Sequence, residues 1–269
     1  MPDRMPAEPY EVYAIRYAHF DRPARDNFIF GDIHDGPMPL DFFIWAIVGN
    51  GRTFVVDLGF EHGVAERRGR SIIRLPSEGL QMLGIDSNKV EDVIVTHLHY
   101  DHAGDLSSFP NAKLYLQDRE MAFATGRHMG HQRMRQVFDG EYVCDFVRAV
   151  YDDRVVFIDG AQEIAPGISV HHIGGHTDGH QSVRVWTESG WLVLASDAVH
   201  FYANMTEQNP FPIVYDVGAM IEGFDTIRGL ADAEELIIPG HDPLVVERFP
   251  CPDKDFEGEI VRLDRGPSM

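Results

Sequence analysis

The segment Thr96-His97-Leu98-His99-Tyr100-Asp101-His102-Ala103-Gly104 places three imidazoles and a carboxylate within six consecutive positions. A lone histidine is ordinarily a packing or surface residue, but three beside an aspartate at the end of an apolar run share one simple purpose, metal binding. Alternate residues of an extended turn face the same side, so His97 and His99 present their rings together, and Asp101 and His102 continue around to a second position. One loop can therefore serve two metal ions. Each ion needs further donors, because zinc takes about four ligands.

The rest of the chain offers them. His176 lies in the glycine-rich turn Gly174-Gly175-His176-Thr177-Asp178-Gly179-His180, Asp197 follows the apolar run Trp191 to Ala195, and His241 follows Leu236-Ile237-Ile238-Pro239-Gly240. Nitrogen and oxygen donors without cysteine favour zinc, manganese or iron, and the Asp197 carboxylate is suited to bridge two ions. Cys144 and Cys251 belong to no metal-type Cys-x-x-Cys pair and are expected as free thiols of a reducing compartment.

These donors need a scaffold that brings distant segments together. Strands are expected at Glu11 to Tyr17, Phe42 to Val48 and Thr53 to Val56, the last two joined as a hairpin by Gly49-Asn50-Gly51. The run Val93 to Thr96 reads as a strand covered on both faces, feeding the histidine cluster. Further strands are expected at Lys113 to Leu116, Val155 to Ile158, Ile168 to His172, Ser182 to Trp186, Trp191 to Ala195 and Glu235 to Ile238. Helices are expected around Ser77 to Leu83 and within 118–148 and 216–230. Without repeats or linkers, the pattern predicts one α/β domain over 1–269, its two halves each contributing a mixed sheet flanked by helices. The segments near 20–41 and 118–148 are candidate lids. Apolar residues of the second, such as Met121, Phe123 and Phe138, suit a pocket, a dimer face or ordinary packing, which leaves monomer and homodimer both open.

With 23 basic against 43 acidic residues, the net charge of −20 argues against nucleic acid or an anionic membrane as partner and fits small substrates. The first residues carry no apolar signal segment and the run Phe42 to Val48 is too short to span a bilayer, so a cytoplasmic location is expected.

Taken together, H-x-H-x-D-H, the G-H-T-x-G-H turn, a lone Asp after a strand and a late Gly-His resemble the metallo-β-lactamase superfamily over roughly residues 42 to 242. The resemblance implies an αββα sandwich of two mixed sheets, with two divalent ions, zinc foremost and Mn2+ or Fe2+ as alternatives. It implies that His97, His99 and His176 hold the first ion, that Asp101, His102 and His241 hold the second, and that Asp197 bridges them. Asp57 would orient a ligand imidazole and His180 would buttress its turn.

Within the superfamily, HLHYDHAGDLSSFPNAKLYLQ and GGHTDGHQS most resemble the N-acyl-homoserine lactonase group. This implies a small cyclic ester as substrate, opened by water activated between the two metals, with Asp101 passing a proton to the leaving oxygen. In that group a tyrosine that contacts substrate commonly stands three residues after the bridging Asp. Here His200 stands there, with Tyr202 two positions on, and both join Asp101 as candidate catalytic residues. The alternatives are a cyclic imide or amide, or a glyoxalase II-type thioester, the latter disfavoured by a tail, CPDKDFEGEIVRLDRGPSM, without a basic cluster. His19, His34, His62, His128, His131, His171 and His172 are assigned to surface or packing.

Overall fold

The computed structural model describes residues 8–31 and 36–268; His34 and the middle of the 20–41 segment lie outside them. In chain order the main elements are β1 (Glu11–Phe20), β2 (Leu40–Gly49), β3 (Arg52–Val56), α1 (His62–Arg68), β4 (Ser71–Ile72), α2 (Pro76–Met82), β5 (Asp92–Ile94), β6 (Lys113–Gln117) and α3 (Asp118–Ala124). Then follow α4 (Gln132–Arg135), α5 (Gly140–Tyr151), β7 (Val155–Ile158), β8 (Gln162–Ala165), β9 (Ile168–His172), β10 (Gln181–Thr187) and β11 (Gly190–Ser196). The chain closes with α6 (Tyr202–Thr206), α7 (Val217–Leu230), β12 (Ile237–Pro239), α8 (Leu244–Arg248) and β13 (Ile260–Arg262).

Among the described residues these strands form two mixed sheets. The first runs β13-β1-β2-β3-β5-β6-β7 with β4 beside β1, and the second runs β12-β11-β10-β9-β8. The β2–β3 hairpin turns as its sequence predicts: Asn50 (φ 51°) and Gly51 (φ 74°) both take the left-handed conformation that matches strand twist. From β3 onward the first sheet is parallel, so its strand ends deliver their following loops to one edge.

Period-two alternation explains the layers. On β2, Phe43, Trp45 and Ile47 face the second sheet and meet Val183, Val185, Leu192 and Leu194, while Phe42, Ile44 and Ala46 face the helices on the other side. On β11, Leu192 and Leu194 face in, and Val193 and Ala195 meet Met220, Phe224 and Ile227 of α7. The result is the expected αββα sandwich, in which each fully buried large apolar side chain contributes about 1.5–3 kcal/mol.

Three expectations are corrected. The halves do not own one sheet each, because β13 returns to pair with β1. The strand expected at Glu235 to Ile238 begins as a 3-10 turn and is extended only from Ile237. The helical stretch within 118–148 is broken into α3, a 3-10 turn at Arg127–Gly130, α4 and α5, consistent with glycines at 126, 130 and 140, the last opening α5 under an Asp139 cap that accepts from the Glu141 amide at 3.1 Å. α1, β4, β8 and β13, too short or too polar to stand out by periodicity, were not anticipated.

Candidate metal centre and cavity

The ends of β3, β5, β11 and β12, together with the turn between β9 and β10, converge at one edge of the sandwich. There Asp197 presents its two carboxylate oxygens to different neighbours. Oδ2 lies 3.2 Å from His176 Nε2 and 3.8 Å from His97 Nε2, while Oδ1 lies 3.2 Å from His102 Nε2 and 3.1 Å from His241 Nε2. His99 Nδ1 approaches His176 Nε2 to 2.8 Å, completing the first group. Asp101 Oδ2 sits 3.8 Å from His102 Nε2 and 3.7 Å from His241 Nε2, completing the second. The seven residues expected as ligands thus fall into two clusters with Asp197 between them, each cluster close enough to hold an ion.

The opposite ring nitrogens of four of these histidines are held, which fixes which of their lone pairs face inward. His102 Nδ1 donates to Asp57 Oδ2 at 2.7 Å, His176 Nδ1 to the Ile213 carbonyl at 2.8 Å and His241 Nδ1 to the Asp41 carbonyl at 2.8 Å. His97 Nδ1 meets Thr96 Oγ1 at 3.1 Å. Asp57, itself left-handed at φ 64°, also accepts from the Thr96 amide and hydroxyl at 2.7 and 2.8 Å, tying the ends of β3 and β5 together. Glycine is required at 240, where a Cβ would lie 2.7 Å from Asp197 Oδ1.

A divalent cation fits this arrangement. His97 Nε2, His102 Nε2 and Asp197 Oδ1 are buried without a hydrogen-bond partner although other donors and acceptors crowd them, which is expensive unless a cation satisfies them. Burial, with neighbouring imidazoles, pushes His97 and His99 well below the usual histidine range and leaves them as neutral lone-pair donors. Burial alone would also lower His102 and His241, but Asp197 and Asp101, with Asp57 added at His102, outweigh it and raise both. Burial would raise Asp197, yet His200, His241, His102 and His176 together hold it well below the carboxylate range. The pocket edge therefore attracts positive charge.

Two supports escaped the sequence reading. Glu120 of α3, fully buried, accepts from the Leu98 amide (2.9 Å), the Thr177 hydroxyl (2.6 Å) and the Gly179 amide (3.1 Å), locking the His97–His102 loop to the His176 turn. A glutamate opening an amphipathic helix gives no local signal of this. Asp41 takes His19 Nδ1 at 2.7 Å and Arg16 at 3.0 Å on its side chain while its carbonyl holds His241, so His19 supports the centre instead of merely packing. His180 closes its turn through its carbonyl, which accepts from the Ile173 and Gly174 amides at 2.9 and 3.1 Å.

The cluster opens into a cavity of about 250 Å3 walled by Leu40, Phe42, Tyr100, Val137, Phe211 and Ile213. His200 lines it, with Nε2 3.1 Å from Asp197 Oδ2 and its ring stacked on Phe211 at 3.9 Å. Tyr202 does not. The helical turn that starts there carries its ring to the inter-sheet core beneath Arg248, whose guanidinium lies 4.1 Å over it, so the expectation that Tyr202 contacts substrate is corrected. Of the two candidate lids, 20–41 supplies Arg22 and Leu40 to the wall and 118–148 supplies Gln136 and Val137.

Fold and donor set together define a protein built to hold divalent metal ions at the edge of an αββα sandwich. The chain belongs to the metallo-beta-lactamase superfamily, whose sequence model matches residues 42–245. It is similar to an N-acyl homoserine lactonase of a Bacillus species, 28% identical over 190 residues that cover 70% of this chain and 62% of that protein. The alignment thus spans about three fifths of the relative's length. Its fold matches the crystal structure of a quorum-quenching N-acyl homoserine lactone lactonase (TM-score 0.73, 21% identity, covering 88% and 94% of the two chains). It also matches AidC, a dizinc quorum-quenching lactonase solved with a product (TM-score 0.68, 15% identity, covering 88% and 89%). No described helix is long and apolar enough to cross a membrane.

Proposed function

We propose that this protein is a metal-dependent hydrolase that opens a small lactone ring, with two divalent ions, zinc foremost, held by His97, His99 and His176 on one side and Asp101, His102 and His241 on the other. The observation that carries this reading is the Asp197 carboxylate, whose two oxygens face separate histidine groups as a bridging ligand must. The lactonase relatives support the substrate class, the dizinc neighbour supports the count, and the absence of cysteine among the converging donors suits zinc held by nitrogen and oxygen. The return of β13 to the first sheet supports reading the chain as one domain.

When bound, such ions polarise an ester carbonyl and make water a competent nucleophile near neutral pH. Asp57 and the Ile213 and Asp41 carbonyls hold the imidazoles at fixed orientation, so little reorganisation accompanies the reaction. Asp101 lines the cavity and stands further from His102 and His241 than Asp197 does, which suits it to carry a proton to the departing alkoxide. His200 lines the same space with Nε2 beside Asp197, which suits it to act next to substrate where the lactonase group has tyrosine. Phe42, Phe211 and Ile213 exclude bulk water from the wall.

The test is acid release by zinc-loaded protein from acyl-homoserine lactones, simple γ- and δ-lactones, cyclic imides and S-lactoylglutathione. Lactone opening that is abolished by His97→Ala is the expected result. Turnover confined to a thioester or an imide would overturn the substrate and leave the metal centre to be judged by its zinc content.

A further inference from the structure

In a chain of net charge −20, three arginines line the wall of the cavity that holds the histidine cluster: Arg22 after β1, Arg68 at the end of α1 and Arg70 before β4. Arg135 and Arg154 bond backbone carbonyls, but several other arginines meet carboxylates: Arg16 with Asp41, Arg52 with Asp92, Arg67 with Asp139, Arg74 with Glu259, Arg262 with Asp264. Among the described residues none of the cavity three does. Their bonds go to neutral groups. Arg68 donates to the Gln136 and Phe138 carbonyls at 2.9 and 3.0 Å, Arg70 to the Tyr100 hydroxyl at 3.0 Å and the Arg68 carbonyl at 2.7 Å, and Arg22 to the Asp26 carbonyl.

Aromatic rings hold the guanidiniums in place. Arg68 lies 3.9 Å over Tyr100, the neighbour of Asp101; Arg70 lies 3.8 Å over Phe20; Arg22 lies 4.7 Å over Phe211, the ring on which His200 stacks. Two of the three are thus one aromatic side chain away from Asp101 or His200. Arg22 Nε is buried without a partner, and burial together with the Arg70 charge lowers its affinity for its proton, though Asp26 opposes this. Asp101 and Asp197 line the same cavity but lie against the histidine cluster, so crowding three like charges at its half-buried wall is unfavourable unless an anion completes the set. A planar guanidinium with free N–H groups is the geometry that takes a carboxylate through paired hydrogen bonds.

We infer that the cavity selects a substrate bearing a carboxylate, held by Arg22, Arg68 and Arg70, while its ester ring lies against the histidine cluster. This rests on the lactone-hydrolase reading above and narrows it: the preferred lactone is an acid, and ring opening yields a hydroxy diacid, water adding to the carbonyl as the ring C–O bond breaks and the alkoxide takes up a proton.

The test compares a γ-lactone carrying a ring carboxylate, 5-oxotetrahydrofuran-2-carboxylate, with its neutral carboxamide on zinc-loaded protein. The acid is expected to win by about 10- to 100-fold in kcat/KM, mostly through KM. Arg22→Gln and Arg70→Gln are each expected to bring the ratio towards one, and Arg148→Gln on an exposed helix face to leave it as in wild type. Equal or better turnover of the amide, or a ratio that survives both cavity variants, would overturn the inference. If a glutamine variant fails to fold, the lysine variant at that position is read instead; it keeps charge but loses the paired geometry, and an undiminished ratio overturns the inference. A parallel calorimetric arm uses cyclopentanone-3-carboxylate and its amide, which cannot be hydrolysed. Tighter binding of the acid, lost in Arg70→Gln, with no turnover of either lactone retires the lactonase reading and keeps the anion site; equal binding overturns the anion site whatever the turnover.

Discussion

The inter-sheet core and the loop edge are a few residues apart along β3, β5, β11 and β12, yet they are built on opposite rules. Between the sheets, Trp45, Phe54, Val185 and Leu194 are buried among apolar neighbours, and their stabilisation grows with the area they remove from water. One residue past the end of β11, Asp197 is equally buried but carries charge, leaves an oxygen without a hydrogen bond and has histidines on all sides. The same fold thus contributes stability in one region and holds a conflict in the other, which a cation would resolve. Ser196, left-handed at φ 48° immediately before Asp197, marks the join.

If this division holds, substitutions in the two regions separate cleanly. The largest effect is expected for Asp197→Asn, which removes the bridging charge: hydrolysis falls by about 1,000-fold, zinc content drops, and the unfolding midpoint of the metal-free protein stays within a few degrees of wild type, as differential scanning calorimetry would record. A metal-free midpoint that collapses would instead make Asp197 a stability residue. Leu194→Ala is expected to do the reverse. It loses about 2–5 kcal/mol of stability, read by denaturant unfolding, while zinc content and activity per folded molecule persist. Loss of zinc at full folding would break the comparison.

Smaller effects sharpen the boundary. Asp57→Asn keeps shape but loses the charge facing His102 Nδ1, and zinc affinity is expected to fall by about 10- to 100-fold in a competition titration with a chelator. An unchanged affinity would show that Thr96 alone orients the loop. Glu120→Gln removes one charged acceptor from a three-donor set and is expected to lower stability by about 1–3 kcal/mol, with a modest fall in kcat and little change in KM. A KM effect alone would place Glu120 nearer substrate than its burial between Leu98 and Thr177 allows.

The convergence of these residues was legible because chemistry repeats: His97, His99, Asp101 and His102 in one loop, and His176, Asp197 and His241 each after a strand, form a pattern that packing does not require. The hairpin was legible because Asn50-Gly51 fixes its turn. What stayed hidden depends on distance in space. Glu120, Asp41 and His19 look like ordinary surface residues until α3 and β2 are packed beside the loops. Tyr202 shows the converse: proximity along the chain to Asp197 suggested the site, while its ring, at the first residue of α6, packs against the inter-sheet core under Arg248. The arginine wall was hidden for the same reason, since Arg22 comes to the cavity wall beside Arg68 and Arg70 only in the folded chain, their guanidiniums resting on Phe211, Tyr100 and Phe20, and the net charge pointed the other way.

The central claim is that two donor groups joined by Asp197 act as one reaction centre, and the most direct measurement is lactone hydrolysis as zinc is returned stepwise to chelator-stripped protein. Activity that rises until about two equivalents per chain are bound and then levels is the predicted result; full activity at one equivalent, or hydrolysis that survives stripping, would contradict it.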